Sequence, residues 1–123
     1  MSTIKANTLL HSDGSTTTQP SIPALDKRMA HTWIKFNGTG SVAIGDSYNV
    51  SSLDDNGTGI YRVNFDTNPP NSEYSALIST NNNLNNTPWM ESTASSTSSY
   101  QIRTYNGSAY VDTSRIMSVV FTS

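Results

Sequence analysis

Two copies of the tetrapeptide Asn-Gly-Thr-Gly, at residues 37–40 and 56–59, constrain the fold of this 123-residue chain more than any other feature. Asn-Gly supplies residues that tolerate positive φ, the geometry of the tight turns that join antiparallel strands. Short apolar runs flank each turn. Trp33-Ile34-Lys35-Phe36 leads into the first, and residues 41–44 resume after it. Residues 48–53 lead through Asp54-Asp55 to the second, and Ile60-Tyr61-Arg62-Val63-Asn64-Phe65 follow. In that last run Tyr61, Val63 and Phe65 alternate with Arg62 and Asn64, as in a strand with one buried and one wet face. The turns stand 19 residues apart, as successive hairpins of a meander would.

The same reasoning predicts strands over 74–80, 99–105, 109–111 and 116–121, with Asn106-Gly107 closing a third hairpin between Tyr105 and Tyr110. Residues 81–86 and 92–99, rich in Asn, Ser and Thr, are expected to be loops. No ten-residue stretch carries a helical period. The fold class is therefore all-β: an antiparallel β-sandwich, jelly-roll-like or a meander, over residues 31–123. Residues 1–30 differ. They are polar and Thr-rich up to Gln19, with one turn signal at Asp13-Gly14, and Ile4, Leu9 and Leu10 are the large apolar residues of that stretch. Pro20 and Pro23 follow, and Pro23 can open a short helical turn over 24–30. Such a segment lacks the apolar area to fold alone. It is expected to be an extended N-terminal arm, able to span roughly 100 Å, with Ile4, Leu9 and Leu10 as its anchoring residues.

Composition limits the function classes. Hydrophobic residues are 34% and charged residues 13%, both below the usual share. Ser (20), Thr (16) and Asn (13) hold 49 positions instead. Low net charge, −2, separates the chain from the disordered class. A rigid β-scaffold with a neutral polar surface remains, and its thin core implies oligomerisation. Nucleic acid and anionic membranes demand basic clusters, and among seven Lys and Arg only Lys27-Arg28 are adjacent. No nucleic-acid partner and no membrane insertion are expected. No apolar run reaches the length of a membrane span or a signal-peptide core, so assembly in a cytoplasm is expected. Cysteine is absent, which removes disulfides and thiolate metal sites.

Catalytic chemistry finds few components. His11 and His31 fall in or beside the arm, and no Ser lies in a Gly-x-Ser-x-Gly elbow. Glu73 and Glu91 are the only glutamates, and the adjacent Asp54 and Asp55 would point to opposite faces of a strand. Neither an enzyme nor a cofactor is expected. Asn37, Asn49, Asn56, Asn85 and Asn106 match the Asn-x-Ser/Thr pattern, three of them through Asn-Gly turns. The strongest binding signal is aromatic: Trp89 in a loop-rich segment, and Tyr100, Tyr105 and Tyr110 around the third hairpin. Such rings combine contact area with a polar handle and suit a receptor, a sugar face or another subunit. The competing reading places half of them in the core.

The segments 32–40 (Thr-Trp-Ile-Lys-Phe-Asn-Gly-Thr-Gly), 46–52 (Asp-Ser-Tyr-Asn-Val-Ser-Ser) and 55–65 (Asp-Asn-Gly-Thr-Gly-Ile-Tyr-Arg-Val-Asn-Phe) resemble a module of tail-fibre-like virion structural proteins from phages of marine bacteria, cyanophages included. The opening Ser2-Thr3-Ile4-Lys5-Ala6-Asn7-Thr8 resembles the start of such proteins, so the likeness covers residues 1–65. It implies a non-enzymatic protein of the bacteriophage virion, a short tail fibre or fibre tip, in homotrimers, contacting other virion proteins and a host-surface glycan. The chain departs from a typical tail fibre in having no shaft, long repeat or coiled-coil heptads. A capsid decoration protein and a carbohydrate-binding module for host adsorption are the alternatives.

Overall fold

A computed structural model of the chain describes residues 2–15, 22, 28–81 and 86–122. Eight strands follow in order: β1 (Thr32–Asn37), β2 (Ala43–Tyr48), β3 (Val50–Gly57), β4 (Ile60–Phe65), β5 (Ser75–Thr80), β6 (Thr87–Glu91), β7 (Ser99–Tyr105) and β8 (Ile116–Phe121). One 3-10 turn, Ser92–Ala94, is the only helical element among the described residues. Every pairing is antiparallel. The first sheet runs β2-β1-β8-β5 and the second β3-β4-β7-β6.

Alternation explains which face of each strand is inside. Thr32, Ile34 and Phe36 of β1, Tyr61, Val63 and Phe65 of β4, Tyr100, Ile102 and Thr104 of β7, and Ile116, Ser118 and Val120 of β8 are buried between the sheets. Aromatic rings supply the volume that a Leu-poor chain lacks. Phe65 packs against Tyr74 and Tyr100 with centroids 5.5 and 5.4 Å away, and Phe36 meets Tyr61 edge-on at 5.2 Å. Each buried phenol has an internal partner: Tyr61 Oη lies 2.9 Å from Gly38 O, Tyr74 Oη 3.0 Å from Ser96 O, and Tyr100 Oη 3.0 Å from Ser118 Oγ.

Of the two sandwich topologies that the sequence admits, the meander is excluded. Both Asn-Gly-Thr-Gly hairpins form, but β1–β2 lies in the first sheet and β3–β4 in the second. First and last strands, β1 and β8, pair centrally in one sheet, while β4 and β7, nested between them in sequence, pair centrally in the other. The two sheets thus form an antiparallel sandwich whose in-sheet hairpins are joined by crossovers between the sheets.

Three strand expectations need correction. The run 48–53 is not one strand: Asn49, with φ 57°, turns the chain from β2 into β3 and from one sheet to the other. Residues 41–44 are mostly the approach to β2, which continues to Tyr48 through a bulge opposite Lys35 and Phe36. Residues 109–111 form no strand; the Asn106-Gly107 turn closes, but only one bridge, Tyr105 to Tyr110, follows it. One strand lies where the composition points to a loop-rich segment. Thr87–Glu91 pairs with β7 at the sheet edge, a place that tolerates Pro88 because its missing N–H faces no further strand.

Residues 2–15 form neither helix nor strand, only a turn in which Gly14 N donates to His11 O at 2.8 Å. Most of the short helical turn expected over 24–30 lies outside the described residues; Arg28 and Met29 form a turn and a bend.

Candidate binding surfaces

Strand pairing decides what each sheet shows to the outside. On the second sheet, Met90 and Ile102 face inward, so Trp89, Glu91, Arg103 and Tyr105 face outward, with Gln101 on the same side but buried beneath them. The bridge to Tyr105 sets Tyr110 on the same side. Three aromatic rings meet there: Trp89 and Tyr110 at 6.0 Å, Trp89 and Tyr105 at 6.4 Å, and Tyr105 and Tyr110 at 5.7 Å. Tyr110 keeps 39% of its surface open.

Arg103 ties this cluster together. Its Nε lies 3.3 Å from Glu91 Oε2, its Nη1 donates to Tyr110 Oη at 3.1 Å, and its guanidinium carbon sits 5.3 Å from the Tyr110 ring centroid. Turned with its oxygen toward the guanidinium, the Gln101 amide accepts from Arg103 Nε and Nη2 at 3.3 and 3.2 Å. The loop carrying Tyr110 is held in turn: Asn106 N donates to Ala109 O at 3.0 Å, Val111 N donates to Thr104 O at 3.1 Å, and Thr104 Oγ1 donates to Val111 O.

The four aromatic candidates therefore divide. Trp89, Tyr105 and Tyr110 converge on one surface. Tyr100 does not join them, because it is fully buried on the opposite face of β7. Burial pushes its phenol up to about 12, against a smaller opposing effect from the Ser118 hydrogen bond. It is a core residue and not a contact residue. Sequence reasoning missed Arg103, Glu91 and Gln101, since cross-strand neighbours become visible only once β6 is registered on β7.

A second surface was also missed. On the first sheet Tyr48 opposes Trp33, Trp33 opposes Val119, and Val119 opposes Leu77. One apolar row thus crosses all four strands on the outward face. Leu77 is 66% exposed, and Met117 stands in the adjacent rung beside Lys35, itself opposite Asp46. The neutral polar surface inferred from composition does not hold on this face.

Ile4, Leu9 and Leu10 of the arm are all exposed. His11 lies beside Asp13 in the arm turn, Nδ1 to Oδ1 3.0 Å. His31 packs edge-on to Phe65 and bonds Thr32 Oγ1 at 2.7 Å, and burial lowers its pKa. Asp54 accepts from Asn64 and Asp55 from the Gly57 amide. Among the described residues, no three His, Cys, Asp or Glu side chains gather as a metal site requires, and no helix is long and apolar enough to cross a membrane.

The fold and these surfaces define an eight-stranded antiparallel β-sandwich with two distinct outward faces, one apolar and one aromatic and polar. Comparison with protein-family models, curated proteins and solved structures finds no match to this chain.

Proposed function

We propose that this chain is a structural subunit of a bacteriophage virion, a short tail fibre or fibre tip. Its sandwich domain assembles as a homotrimer through the outward face of the first sheet, and its arm attaches to neighbouring virion proteins. The observation that carries the reading is the Tyr48–Trp33–Val119–Leu77 row. A chain with so few large apolar residues gains about 1.5–3 kcal/mol for each such side chain covered, so leaving them outside makes sense where other copies cover them. Lys35 and Asp46 side by side make the adjoining rung self-complementary in charge. The likeness of residues 1–65 to tail-fibre-like proteins supports the particle, and the exposed Ile4, Leu9 and Leu10 support anchoring by the arm.

Light scattering on the purified chain should give three times the 13.3 kDa chain mass. Leu77→Glu should return it to one chain with its circular dichroism unchanged; a wild-type monomer at about 100 µM would sink the assembly reading. Deleting residues 1–30 should abolish incorporation into particles, and normal loading of the truncated chain would sink the anchoring role.

A further inference from the structure

We infer that the outward face of the second sheet is a binding platform for a neutral polysaccharide, with the rings of Trp89 and Tyr110 stacking on pyranose faces and Glu91 and Arg103 bonding the hydroxyls. The inference names what the proposed virion subunit touches, yet it concerns the isolated chain and stands or falls without the particle.

Three features select this ligand class. The rings of Trp89, Tyr105 and Tyr110 form a contiguous aromatic surface outside the core. An aromatic face has a negative quadrupole that matches the weakly positive C–H face of a pyranose ring. Beside the rings stand a carboxylate and a guanidinium, fixed against each other and held from behind by the buried Gln101 amide. A sugar hydroxyl both donates and accepts, and the carboxylate and guanidinium together offer both functions in planar, oriented form. Charge provides the third argument. Glu91 neutralises Arg103 within the cluster, so the guanidinium beside the rings offers no free charge to an acidic polysaccharide.

The platform is also built before any ligand arrives. Tyr110 sits on a loop closed by backbone bonds at Asn106 and Val111 and is tethered through its hydroxyl to Arg103. Rings held in place lose little freedom on binding, so weak stacking contacts can still give measurable affinity.

Trp89 supplies its own reporter, because Trp33→Phe leaves it the single tryptophan of the chain. That variant is titrated with hexamers of β-1,4-glucan, β-1,4-mannan, β-1,4-xylan and α-1,4-glucan, and with an alginate hexamer as the anionic contrast. At least one neutral hexamer should shift the Trp89 emission with a millimolar constant. Adding Tyr110→Ala should weaken that binding about tenfold while leaving the thermal unfolding midpoint within a few degrees. Arg103→Met, which removes the oriented polar groups and keeps the stem, should weaken it as well. Silence from all four neutral hexamers up to about 10 mM, preference for alginate, or binding indifferent to Tyr110→Ala would each overturn the platform. None of these results bears on trimer mass or particle loading.

Discussion

Gly38 and Gly59 occupy different positions of the repeated Asn-Gly-Thr-Gly turn and are required for different reasons. A Cβ on Gly38 would land on the Tyr61 hydroxyl, with Cε1 of that ring at 2.8 Å. The same hydroxyl needs the Gly38 carbonyl at 2.9 Å, so glycine lets backbone and ring close on each other. Gly59 has φ 66°, and a Cβ there would meet Thr104 O at 2.7 Å and Val111 N and O at 2.8 Å. Those atoms are backbone and cannot swing aside, whereas Tyr61 is a side chain. Gly40 has a similar φ, 62°, but open space around it. Gly59→Ala should therefore cost about 3 kcal/mol or more, through overpacking added to backbone strain. Gly40→Ala should cost only about 1–2 kcal/mol, the left-handed penalty alone. Urea unfolding of the two variants checks the ranking, and equal losses would show that contact with the Thr104–Val111 backbone does not matter. Hairpins were legible from the tetrapeptides because positive φ is a local property; the closeness of Gly59 to residues more than 40 positions away was not.

Strands whose side chains simply alternate could be read directly: Ile60–Phe65, Ser99–Tyr105 and Ile116–Phe121 stand where the sequence puts them. The Tyr48–Val50 corner could not, because Tyr48-Asn49-Val50 has the composition of a continuous strand. Asn49 is what breaks it. Its Oδ1 accepts from Thr67 N at 2.6 Å, and its Nδ2 lies 2.9 Å from Thr67 O, 3.1 Å from Thr32 Oγ1 and 3.2 Å from His31 O. One side chain thus bonds the entry to β1 and the chain leaving β4 at the point where the backbone crosses between sheets. An Asn-x-Ser match at this position is structural, since a glycan on Nδ2 would displace these partners. Asn49→Gly should destabilise by about 2 kcal/mol through its lost hydrogen bonds even though it relaxes the backbone, and Asn49→Ala by about 1 kcal/mol more. Guanidinium unfolding separates the two contributions; a stabilising Asn49→Gly would mean that conformation alone makes the corner. Trp89 illustrates the opposite failure. Thr-Pro-Trp among Asn and Ser tracts reads as loop, yet pairing with β7 makes it a strand and creates the aromatic platform.

The sandwich topology depends on which hairpin joins which sheet, and that is decided by the closing of one core between sequence-distant strands. That core is unusual in relying on phenols. Tyr61, Tyr74 and Tyr100 are buried, and in each case burial raises the pKa above its ordinary value. Only the ionised phenol is charged, so the folded chain retains protons that the unfolded chain releases near pH 10. Below that pH both states are protonated and the stabilisation is complete. Above it the unfolded state binds fewer protons than the folded one, so stability falls as pH rises from 10 through about 12, where Tyr100 would ionise in the folded state. The urea midpoint should accordingly hold steady up to about pH 10 and then drop. Phenolate absorbance from these three rings should appear together with the loss of folded circular dichroism. Tyr100→Phe combined with Ser118→Ala removes the buried phenol and its hydroxyl partner together, which leaves no orphaned polar group. That double variant should keep more of its stability above pH 10 than the wild type, relative to each protein's value at neutral pH. Phenolate absorbance from all three rings while the folded circular dichroism is still intact would refute the account, because it requires these rings to stay closed off from water until the two sheets separate.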